Sequence, residues 1–202
     1  RRLLLIGRLD EAERLLAGSD PAMPALQVAH ALTVAGIAIR RVQARAARAA
    51  LAQAEAAAHG AGIPALAAEV ESARRMMDLP AARLIVRGKE RLLMLDEVEA
   101  LLGSQKLIVD ACRNVVRDVE SVVSLTTRPV LFALARVLAE AWPGDAPRSA
   151  LLARAFGAKH ADESHRARLR VEVGRLRAEL RGFADISATH GGFKLVPHLA
   201  RE

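Results

Sequence analysis

The sequence predicts an α+β fold that is mostly α, and three observations carry that prediction. The chain has no aromatic residue before Phe132, and its first part is rich in Ala, Leu and Arg, a composition that suits helices packed through small side chains. Short apolar runs between Leu107 and Leu125 then read as strands. A helical pattern with an arginine-rich stretch, Asp162–Arg181, leads into a Gly191-Gly192 turn. The predicted organisation is a helical bundle or repeat-like region over 1–79, a hairpin and short helix over 80–105, and a domain over 106–202 that carries an N-terminal sheet.

In order, Leu3–Ala17 reads as helix broken at Gly7, with Asp10 as a cap for Ala12, Leu15 and Leu16. Ser19-Asp20-Pro21 marks a boundary. Ala22–Arg48 reads as a long helix with Leu26, Ala29, Leu32, Val34 and Ile37 on its apolar face and a candidate break at Gly36. Helix continues over Ala49–Ala58 and stops in His59-Gly60-Ala61-Gly62. Pro64 starts the next helix, with Leu66, Val70 and Ala73 inward and Met76-Met77 as core filler near its end.

Leu84–Val86 and Leu92–Leu95 around Arg87-Gly88-Lys89 predict a hairpin, and Asp96 a cap for a helix over Glu97–Leu102. Leu107–Cys112, Val115–Val119 and Ser121–Leu125 predict three strands. Thr126 or Thr127 is the expected cap of a helix with Pro129 in its first turn, ending at Trp142-Pro143-Gly144. Arg148–Phe156 predicts a further helix. Ile186–Ala188 and Phe193–Val196 predict a hairpin around the two glycines.

Within Asp162–Arg181, Leu169, Val173, Leu176 and Leu180 share one helix face. Arg166, Arg170, Arg177 and Arg181 line one flank. Arg168 and Arg175 line the other, each four residues before an acid, Glu172 and Glu179. Ala167, Val171, Gly174 and Ala178 form a smooth crest opposite the leucines. Small residues let such a helix enter a DNA major groove, with guanidiniums reaching phosphates and base edges on both sides. A solvated surface helix laced with salt bridges has the same pattern. The charge supports an anionic partner: residues 1–105 hold 14 Lys/Arg against 12 Asp/Glu, and residues 106–202 hold 16 against 11.

From Leu107 to Pro197 the order is strands, helix, helix, arginine-rich helix, hairpin. This part resembles the OmpR/PhoB-type winged-helix DNA-binding domain of bacterial transcription regulators, through LIVDACRNVVRDVESVVSLTTRPVLFALARVLA, RSALLARAFG, RLRVEVGRLRAEL and ISATHGGFKLV. The resemblance implies a recognition helix in the major groove of double-stranded DNA and a wing in the adjacent minor groove. Arg175 and Arg177 match DNA-contacting positions, and Arg168 and Arg170 fall near bases or phosphates. Val171 can meet a thymine methyl, and His190 and Lys194 are the wing's contribution. The resemblance also implies that the Gly157–Asp162 loop can touch RNA polymerase, and that the chain binds paired half-sites as a homodimer. GRLDEAERLLA and ARAALAQAEAAAHGAGIPALAAEVESARRMM resemble degenerate tetratricopeptide repeats, and a plain bundle fits them equally. This half is expected to supply dimer, effector or partner contacts. It lacks the alternating strands and helices of a phosphorylatable receiver.

The reading is therefore a cytoplasmic DNA-binding transcription regulator with no catalysis and no cofactor. The alternative is a protein-protein interaction module whose winged helix no longer reads DNA, supported by Gly174 and Ala167 at positions usually polar in the family. No glycine-rich nucleotide loop appears. The six histidines form no metal spacing with Cys112, which sits in an apolar run and is expected to be a buried small hydrophobe. No membrane-length apolar run or secretory signal is present. Arg1 falls in what reads as the middle of a helix, which suggests a fragment of a longer protein.

Overall fold

A computed structural model of the chain describes residues 1–157 and 162–198. The fold is α+β, with helices and small antiparallel sheets, and the chain divides into two compact units. The first is Arg1–Arg83 with Leu92–Ala100. The second is Leu84–Arg91 with the described residues from Leu101 onward.

In the first unit, α1 (Arg2–Leu5) and α2 (Leu9–Ala17) precede the long pair α3 (Pro24–Arg40) and α4 (Ala44–Ala61), followed by α5 (Pro64–Met77). The α3–α4 pair packs on alanines: Ala35, Ala38, Ala44, Ala47 and Ala50 are buried with Leu51, Met77 and Leu95. A second cluster joins Val28, Ala31, Ala54, Ala58 and Val70. With alanines making up most of that contact, added volume there has nowhere to go. Ala54→Leu is expected to cost about 1–3 kcal/mol through overpacking, read as a lower urea midpoint by circular dichroism.

Several local expectations are corrected. Gly36 does not break α3; a Cβ there would lie 2.6 Å from Leu4 Cδ2, so the glycine admits α1 against α3. The break comes at Arg41-Val42-Gln43, where Val42 takes φ 59°. Asp10 is not the cap of α2. Arg8 holds the cap position without a side-chain bond, and Asp10 pairs with Arg41 at 2.5 Å instead. Leu26 is 53% exposed and Met76 63% exposed, so neither lies in the core. The N-terminus of α4 is satisfied from a distance: the Ala44 N–H donates to Glu99 Oε2 at 3.0 Å, on α6 (Leu95–Leu102).

The hairpin β1 (Ala82–Val86) and β2 (Lys89–Leu93) turns at Arg87-Gly88, both at positive φ. In the second unit β3 (Ile108–Asp110), β4 (Val115–Arg117) and β5 (Val122–Ser124) form an antiparallel meander. The strand expected over Leu107–Cys112 stops at Asp110, whose Oδ1 accepts the Cys112 N–H at 2.8 Å and starts a turn. Cys112 is therefore exposed, not buried.

Then come α7 (Pro129–Ala141), β6 (Ala146–Pro147), α8 (Arg148–Phe156), α9 (Glu163–Glu179), β7 (Ala184–Ala188) and β8 (Gly192–Pro197). The cap position of α7 is Arg128, not Thr126 or Thr127; Thr126 Oγ1 donates to the Arg113 carbonyl instead. One core gathers Val116 from β4 and Leu125 just after β5, Leu131, Leu134 and Leu138 from α7, Leu151 and Leu152 from α8, Leu169, Val173 and Leu176 from α9 with Leu180 just past its end, and Ile186, Phe193 and Leu195 from the hairpin. The terminal sheet has the order β6-β8-β7, pairing Ala146 with Phe193 and Ala188 with Phe193 across β8.

Candidate nucleic-acid interface

The core face of α9 is as the periodicity predicts: Leu169, Val173, Leu176 and Leu180 are at most 2% exposed. The opposite crest, Ala167, Val171, Gly174 and Ala178, is exposed, with Val171 at 53%. Helix and hairpin are thus seated by one core, and their outer surfaces carry the candidate residues.

The helix starts with a side-chain cap. Asp162 Oδ1 accepts the His165 backbone N–H at 2.8 Å and lies 2.6 Å from His165 Nδ1. The backbone bond from His165, then the side-chain contact with the same residue, hold the Asp162 carboxyl below the usual carboxylate range. A depressed folded-state pKa stabilises the helix start above the unfolded-state pKa, and that contribution is lost as pH falls through the folded value. Acidification through and below the usual carboxylate range is expected to lower the protection factor of the His165 amide, the ratio of the unstructured chain's exchange rate to its own at the same pH, and Asp162→Asn to flatten that pH dependence in hydrogen-exchange NMR.

The arginines separate into two groups by what holds them. Arg166 and Arg170 both reach Glu163, at 3.6 and 2.9 Å. Arg175 pairs with Glu172 at 2.9 Å, and Glu179 pairs with Arg128. The expected four-residue pairs Arg168–Glu172 and Arg175–Glu179 are not formed. Glu172, its side chain only 13% exposed, and Glu179 face a groove beside the start of α7, where Arg175 holds the first and Arg128 the second.

The second group has no carboxylate partner among the described residues. The Arg168 guanidinium lies 4.6 Å from the centre of the Phe156 ring. Arg177 does not project along the flank with Arg170. Its Nε donates to the Ile186 carbonyl at 2.7 Å, and its guanidinium lies 6.0 Å from the Phe193 ring. Arg181 is exposed just past the helix. In the hairpin, His190 is exposed at the turn, and Lys194 is half-buried in β8 opposite Ser187.

Arg148, which the sequence does not single out, joins this constellation. Its Nη1 donates to the His190 carbonyl at 2.8 Å and its Nη2 to the Thr189 carbonyl at 3.0 Å, while its guanidinium lies 5.6 Å from Phe193. No sequence signal marks it, because its partners are backbone carbonyls 41 and 42 residues away.

Residues 158–161 of the Gly157–Asp162 loop, where the polymerase contact is expected, lie outside the described residues. Among the described residues no group of His, Cys, Asp and Glu could hold a metal ion. No helix among them is long and apolar enough to cross a membrane. No protein-family model, curated protein or solved structure matches the chain.

Proposed function

We propose that the second unit is a winged helix that binds double-stranded DNA, with α9 in the major groove and the β7–β8 hairpin as the wing, and that the chain is a cytoplasmic transcription regulator. The observation that carries this reading is the surface of α9. A crest of small side chains is flanked by arginines and backed by the same core that seats a glycine hairpin. A helix of that profile fits a groove that admits an α-helix, and its guanidiniums reach the groove walls.

The paired arginines support the reading rather than oppose it. Arg166 and Arg170 are more than 60% exposed and their shared partner Glu163 is 72% exposed. Exposed pairs are worth roughly 0–1 kcal/mol, so exchanging a carboxylate for a phosphate costs little. The helical first unit is proposed to bring two such domains together on paired half-sites, or to bind an effector or protein partner.

The test is fluorescence anisotropy of the full chain with a random-sequence duplex and with duplexes selected from a random pool, over a salt series. A salt-steep affinity that keeps a preference for the selected duplexes is the expected result. No binding at low salt refutes it and leaves the interaction-module reading, tested by partner capture on the helical unit.

A further inference from the structure

The hairpin turn is gripped from two sides. Arg148, the first residue of α8, spans the Thr189 and His190 carbonyls with two arms of its guanidinium, and its backbone N–H points at the Gly191 carbonyl at 3.4 Å. Arg177, on α9, holds the Ile186 carbonyl of the preceding strand. Both guanidiniums lie over the ring of Phe193, which is 6% exposed and belongs to the shared core. The turn is also closed internally: Thr189 N–H donates to the Gly192 carbonyl, and Gly192 N–H to Thr189 Oγ1, each at 3.0 Å.

We propose that Arg148 and Arg177 are positioning residues that clamp the wing to α8 and α9 through Phe193, so that the wing's minor-groove contact and the helix's major-groove contact are presented as one rigid surface. This rests on the DNA-binding reading above and changes the role of Arg177 within it, from a DNA contact to a wing anchor. The chemistry requires arginine. Arg148 bonds two carbonyls and Arg177 one, each while stacking on an aromatic face; that combination needs a planar fork, and a lysine ammonium is a compact point charge that cannot reproduce it. Among the described residues no carboxylate pairs with either guanidinium, so their positive charge stands beside the wing.

Arg148→Lys in the full chain separates positioning from charge. Binding to a selected duplex is expected to weaken about tenfold, the loss of one charge-assisted bond, while the salt slope stays that of the wild type because the charge is kept. Hydroxyl-radical protection in the flanking minor groove is expected to disappear, with protection of guanine N7 from methylation in the major groove retained. Arg177→Lys should give the same split. Amide exchange at Thr189 and Gly192 in the free protein should quicken in both variants.

Wild-type footprints in both grooves for both variants overturn the proposal. Loss of both protections together with a lower melting temperature also overturns it, because the arginines would then only hold the fold. A salt slope lower by about one in Arg177→Gln, with normal slope and footprint in Arg177→Lys, restores Arg177 as a direct phosphate contact and overturns its anchoring role. A wild-type chain that protects no duplex removes the DNA reading itself, and the clamp's role with it.

Discussion

Gly192→Ala is expected to unfold the terminal sheet, while Gly191→Ala, one residue away, should change little. The difference is space and not backbone freedom, since neither glycine has a positive φ. A Cβ at Gly192 would fall 1.9 Å from the Ala146 carbonyl oxygen and 2.8 Å from its carbon, both backbone atoms of the neighbouring strand. A flexible side chain could step aside; a paired strand cannot without breaking the β6–β8 ladder at Ala146–Phe193 and Pro147–Gly192. Ala146 and Phe193 also belong to the core. The expected cost is about 3 kcal/mol or more, at or beyond the usual upper range for overpacking. That corresponds to roughly 12–24 °C in melting temperature for a domain of this size. At Gly191 nothing lies within 4 Å of the added carbon, and a change within about 0.5 kcal/mol is expected. Trp142, the chain's only tryptophan, lies in the second unit, so its fluorescence on heating reads the right domain. Equal melting of the two variants would contradict the β6–β8 register.

The elements that were legible in the sequence are those whose signal is local and periodic. Arg148–Phe156 has the limits its leucines and Gly157 predict, and α9 fills most of the helical stretch read over Asp162–Arg181, although the capping role of Asp162 emerges only in the structure. The two hairpins follow from Arg87-Gly88 and Gly191-Gly192. What was not legible depends on distant partners. β6 is two residues long and is a strand only because β8 lies beside it. The break between α3 and α4 falls on Val42, a β-branched residue at positive φ, where neither glycine nor proline gives warning. Gly36 carries the breaker signal, yet Leu4 fills the space its missing side chain leaves.

The candidate site divides in the same way. Periodicity sorts the faces of α9 correctly, because burial follows from helix geometry alone. It does not say which acid an arginine will meet. Glu179 is four residues from Arg175 yet pairs with Arg128, which is brought by α7, and Arg177 turns to the hairpin carbonyl of Ile186. Long, flexible cations take the partner that tertiary packing supplies, and a helical wheel contains only local ones.

Removing Arg166 and Arg170 together is expected to weaken DNA binding on the order of a hundredfold, and Glu163→Gln to strengthen it. Both arginines stand in the first half of α9 and share Glu163, and neither takes part in the Arg148–Phe193–Arg177 clamp. A charge-assisted bond to phosphate is worth about 1.5–3 kcal/mol, and the surface pair given up for it roughly 0–1. The net for each arginine is therefore roughly 1–2 kcal/mol, a factor of about 5–30. Each lost phosphate contact should also lower the magnitude of the slope of log affinity against log salt by about 0.9. For the double alanine variant the slope falls by nearly two, on random and selected duplexes alike, because phosphate contacts are made regardless of sequence. Glu163→Gln removes the competitor and leaves the cations, so affinity should rise a few-fold. The opposite signs are the strength of the pair of variants. A surface helix of salt bridges that never meets DNA would give no change in binding for either, and a general electrostatic attraction would show the same slope change for any two arginines taken from the first unit, such as Arg45 and Arg48.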